Sequence, residues 1–71
     1  MEREEFKKEI SERQDKCIVK SIGYMVELIY SDVVYLVEVG IEYGTFYHKF
    51  KDEEEVNTYL KRVDIIDDNE E

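Results

Sequence analysis

The chain has 71 residues with 19 acids against 10 bases, a net charge of −9, and only one cysteine and one histidine. A single thiol excludes an intramolecular disulfide and the paired-cysteine zinc motifs and fits a reducing compartment, while the acid surplus argues against direct nucleic-acid binding, which needs Lys and Arg gathered on some face. With 42% hydrophobic residues, the chain is expected to form one small domain over residues 1–71, stable by only a few kcal/mol.

From Glu2 to about Gln14 the residues are strong helix formers, with Glu2, Glu4 and Glu5 early and Arg13 and Lys16 late, an order that suits the helix dipole. Phe6 and Ile10 give that helix a narrow apolar stripe, so a peripheral position is expected. No amino-terminal apolar run resembles a signal peptide, and Ile18 to Tyr30 is interrupted by Lys20 and Glu27, which points to a cytoplasmic protein without a membrane span.

After Cys17, β-branched and aromatic residues dominate, bounded by turn candidates at Gly23, Ser31-Asp32 and Gly40 to Gly44. Strands are expected near 17–30, 33–40 and 45–50. A tip at Ser31-Asp32 sets Ile29 opposite Val34, Leu28 opposite Tyr35 and Val26 opposite Val37. A four-residue loop from Ile41 to Gly44, with a positive φ at Gly44, would align Val39 with Phe46 and Tyr35 with Phe50. Tyr24, Val26, Leu28, Tyr35, Val37, Val39, Phe46 and Phe50 would then share one face, the expected core.

Asp52 and Glu55 form a D-x-x-E capping box directly after the last strand. Val56, Tyr59, Leu60 and Val63 follow at helical spacing as one stripe able to lie on the sheet. Residues 64–71 hold two isoleucines among acids, and a partly frayed end is expected. The expected fold class is α+β, a three-stranded antiparallel sheet flanked by an amino-terminal and a carboxy-terminal helix.

A nucleophile and base pair would have to be Cys17 and His48, which fall on different predicted strands, so no catalytic residue is expected. The carboxylates lie in solvated runs that lack the apolar surroundings needed to raise a pKa. The tail acids lack calcium-loop spacing, and the three glycines are scattered, so neither metal nor cofactor is expected.

Two surfaces remain as candidates. The sheet's second face carries Met25, Ile29, Val34, Leu36 and Tyr47 beside Glu27, Glu38, Thr45 and Lys49, and is either an interface, in a homodimer or against a partner, or is covered by the first helix or the tail. The other candidate is acidic. Residues 52–71 carry nine acids and two bases, whereas residues 1–16 and 17–51 are each near balance at −1. Glu53, Glu54, Asp64, Asp67 and Asp68 could therefore act together on a basic groove that normally receives nucleic acid, with fast, steered association. The bland alternative is a solubilising coat.

The strand pair from Tyr24 to Val39, the strand Thr45 to Phe50 and the helix opening Asp52-Glu53-Glu54-Glu55 together resemble, at the level of pattern, some small phage-encoded anti-CRISPR proteins. The resemblance implies a non-enzymatic inhibitor that mimics DNA in the groove of a CRISPR nuclease; no family motif is matched, and it transfers no binding residue. The rival expectation is a small self-associating adaptor that uses the apolar sheet face.

Overall fold

A computed structural model describes residues 1–40, 42 and 44–62. The expected fraying of 64–71, together with Val63, Asp64, Asp67 and Asp68, lies outside these residues. The chain runs α1 (Arg3–Glu12), β1 (Ile18–Ile22), β2 (Met25–Ile29), β3 (Val34–Gly40), β4 (Gly44–Phe50) and α2 (Glu53–Arg62). The fold is α+β with an antiparallel sheet, as the periodicity implies, but the sheet has four strands in the order β1-β2-β3-β4.

The fourth strand arises at Gly23. Its φ of 59° is a left-handed conformation that glycine adopts without steric cost. Gly23 and Tyr24 make a two-residue hairpin turn that folds Ile22 back opposite Met25, so the expected long first strand becomes β1 and β2. The next hairpin has the expected register: Leu28 opposes Tyr35, Ile29 opposes Val34, and the Tyr30 N–H donates to the Val33 carbonyl at 2.9 Å across Ser31-Asp32.

The third hairpin closes one residue earlier than expected, with Gly40 opposite Gly44. A β-carbon on Gly40 would lie 2.6 Å from the Gly44 carbonyl oxygen, so this approach requires glycine. Gly44 has the expected positive φ, at 89°. The shorter connection sets Val39 opposite Thr45 and Val34 opposite Phe50. Because strand side chains alternate with period two, the one-residue shift exchanges the faces of β4.

That shift decides where the core lies. Met25, Val34 and Leu36 form the buried cluster with Val56 and Leu60 of α2, and Ile22, Ile29, Phe50 and Tyr59 pack around it. The face expected to be an interface is thus the core face, closed within the chain by α2. Tyr47 sits on the opposite face against Phe6, ring centroids 4.6 Å apart. The helices therefore cover opposite faces of the sheet, and the expected core positions Val26, Val37 and Val39 lie on the side that α1 covers only in part.

α1 has no fully buried residue, in line with its narrow stripe. Phe6 packs edge-on to Tyr35 at 5.6 Å. Polar contacts complete the docking: the Tyr35 hydroxyl donates to Glu9 Oε1 at 2.6 Å, and Lys49 Nζ lies 3.0 Å from the same carboxylate. Arg13 reaches Asp15 and Asp32 and rests 4.3 Å above the Tyr30 ring, pinning the end of α1 to the β2–β3 turn.

Candidate functional site

The start of α2 is built as its sequence implies. Asp52 Oδ1 accepts a hydrogen bond from the Glu55 N–H at 3.0 Å, and Glu55 Oε1 accepts one from the Lys51 N–H at 3.0 Å. The cap reaches one residue further back than a standard box, which ties the helix to the strand end. Asp52 and Glu55 are thereby occupied. Glu53 and Glu54 project from the same turn, exposed, and neither joins an ion pair among the described residues.

Many of the other acids have internal work. Glu9 holds Tyr35 and Lys49, and the Tyr35 hydroxyl bond, followed by Lys49, keeps its carboxyl below the usual range. Asp15 is likewise held low by its hydrogen bond to Arg13. Burial and the bond to Glu9 push the Tyr35 hydroxyl up to about 12.

Glu38 accepts from the Tyr59 hydroxyl at 2.9 Å and lies 3.1 Å from His48 Nε2, beneath the far end of α2. Burial, then Glu38, pushes the Tyr59 hydroxyl up to about 12, which makes it a poor nucleophile at neutral pH. Cys17 precedes β1 at one sheet edge, while His48 belongs to β4 at the other, so the sheet order separates the two. Among the described residues, no group of three His, Cys, Asp or Glu side chains gathers to hold a metal, and no helix is long and apolar enough to cross a membrane.

Glu27 is the residue that composition did not single out. It is only 2% exposed, on the core face between Met25 and Ile29. Burial raises its pKa, Lys20 opposes the rise, and Glu53 adds to it. Among the described residues it makes no side-chain hydrogen bond or ion pair.

The exposed apolar side chains lie at the sheet edges and strand ends, on both faces, rather than gathered on the one face expected to carry them. Ile18 is 66% and Val19 63% exposed, on successive positions of edge strand β1, and Tyr24, Val39 and Phe46 are also exposed. The signal for this was two adjacent β-branched residues beside a glycine turn, since an edge strand covered by neither helix leaves both faces open.

The fold and site define a small α+β domain, an antiparallel meander with one helix on each face and an acidic helix start. In comparison with known proteins, the chain matches no family model, no curated protein and no solved structure.

Proposed function

We propose that this chain is a non-enzymatic, cytoplasmic protein-binding inhibitor or regulator whose acidic surface docks on a basic groove of a nucleic-acid-handling protein. The observation that carries the reading is the start of α2: Asp52 and Glu55 are engaged in the cap, so Glu53 and Glu54 stand exposed side by side on a fixed turn. The other exposed acids without a side-chain partner among the described residues, Glu2, Glu5, Glu12 and Glu42, are spread over α1 and the β3–β4 connection. Dipole compensation accounts for one or two carboxylates at a helix start. It does not account for the five acids that follow Arg62, among them Asp64, Asp67 and Asp68. A CRISPR nuclease is the partner that the resemblance to anti-CRISPR proteins implies.

Exposed ion pairs contribute about 0 to 1 kcal/mol each, so single substitutions are expected to change little. The variant carrying Glu53→Lys, Glu54→Lys, Asp67→Lys and Asp68→Lys is expected to bind roughly 10- to 100-fold more weakly. Capture from a nuclease-treated lysate on the immobilised chain, read by mass spectrometry at low and high salt, checks this. Proteins retained equally by the chain and the variant would reduce the acids to a solubilising coat. The self-associating adaptor would then be the better reading, supported by Ile18 and Val19 rather than by the face beneath α2.

A further inference from the structure

We infer that β1 is a pairing edge for a second copy of this chain, joining two sheets into one of eight strands about a twofold axis. The two sheet edges are not equivalent. On β4 the outward carbonyl of Tyr47 already accepts a hydrogen bond from the Met1 nitrogen at 2.8 Å. On β1 no described strand lies outside the ladder. A head-to-tail contact of β1 with β4 is therefore obstructed, and β1 with β1 is the contact that closes as a dimer.

The hairpin turn fixes which backbone groups face outward. Ile22 opposes Met25 across a two-residue turn, so Ile22, Lys20 and Ile18 bond to β2, while Val19 and Ser21 direct their N–H and C=O groups away from the sheet. Three antiparallel registers satisfy the outward groups, and the one that sets Ser21 opposite its mate leaves Val19 against the Gly23 turn with no apolar side chain across from it, so two remain. One sets Lys20 opposite its own symmetry mate, a like-charge pair that destabilises. The other sets Val19 opposite its mate and Ile18 opposite Lys20 of the second copy.

The second register is favoured. It avoids the lysine contact, and it continues the apolar side formed by Val19, Leu28 and Val26 across the axis. β1 carries no acid although the chain is at −9, so no carboxylate of the strand itself opposes this pairing. Because the axis stands perpendicular to the sheet, both α2 helices lie on one side of the dimer. This inference does not depend on acidic docking, and salt separates the two: added salt weakens docking but screens repulsion between the two acidic chains.

Sedimentation velocity on the full chain over a concentration series tests the pairing. The expected result is a shift toward twice the chain mass as concentration rises. Val19→Glu, which sets two carboxylates opposite each other, should weaken the dimer at least tenfold, and Val19→Pro, which removes the outward N–H, should do the same. Ile18→Glu gains Lys20 as its neighbour and should dimerise at least as well as the parent. The exposure of both side chains lets the glutamate variants fold, which circular dichroism verifies; if Val19→Pro does not fold, the glutamate pair alone decides. A chain monomeric at every concentration, including one whose own tail protects the Val19 and Ser21 amides, overturns the inference, as does equal weakening by Ile18→Glu and Val19→Glu.

Discussion

Truncating Leu36 to alanine is expected to cost roughly 2–5 kcal/mol, most or all of the stability available to a chain of this size. Leu36 is fully buried between the sheet and α2, in the cluster with Met25, Val34, Val56 and Leu60. The loss combines the transfer energy of the removed methyl groups with a cavity that a one-helix cover can close only by moving α2. Val39→Ala, on the opposite and partly open face, is expected to stay within about 0.5 kcal/mol. Urea unfolding followed by circular dichroism measures both. Were Leu36→Ala no more harmful than Val39→Ala, the core would lie on the other face, and Leu36 would again be a candidate interface residue.

The second large effect has the opposite sign. Glu27→Gln is expected to stabilise the chain at neutral pH, because the neutral amide escapes the cost of burying a carboxylate charge while leaving a buried polar group in place. Burial raises the folded-state pKa of Glu27 above the 4.5 of an exposed glutamate. Between those two values the folded chain holds a proton that the unfolded chain has lost, so the Glu27 contribution to stability falls as pH rises through this window. Below 4.5 both states are protonated, and the advantage of glutamine should vanish. Glu9 and Asp15 run the other way, because their lowered pKa values give stability that is present above the unfolded values and lost as pH falls through the folded ones. Unfolding midpoints of chain and variant across the acid range check the sign. A glutamine variant less stable at pH 7 than at pH 4, relative to the parent, would contradict the buried placement of the carboxylate.

What could be read in advance follows from which signals are local. The Ser31-Asp32 turn, the Asp52 to Glu55 cap and the stripe of Val56, Tyr59 and Leu60 each depend on residues within a few positions, and each is where the sequence places it. Gly23 was legible as a turn candidate, but nothing local says that the chain reverses there rather than bends. The register of β4 rests on whether three or four residues separate the paired strands, and the Gly40 to Gly44 approach that decides it is a tertiary contact.

One residue in that loop exchanges the faces of β4. With the faces exchanged, an apparent interface of Met25, Ile29, Val34 and Leu36 becomes core, and Tyr47 passes to the α1 side. The candidate site was partly legible. Glu53 and Glu54 stand out by charge, and their freedom follows from the cap on their neighbours. Glu27 carried no such signal, because its burial depends on α2 crossing above it.

If carboxylates near α2 occupy a site built for nucleic acid, the chain and DNA compete for one captured partner. With a fixed amount of that partner, the fraction bound to labelled duplex DNA should fall as the chain is added. The competing activity should weaken as salt rises and be lost in the Glu53→Lys, Glu54→Lys, Asp67→Lys, Asp68→Lys variant. A partner that binds the chain and DNA at once, each with undiminished affinity, would contradict the account.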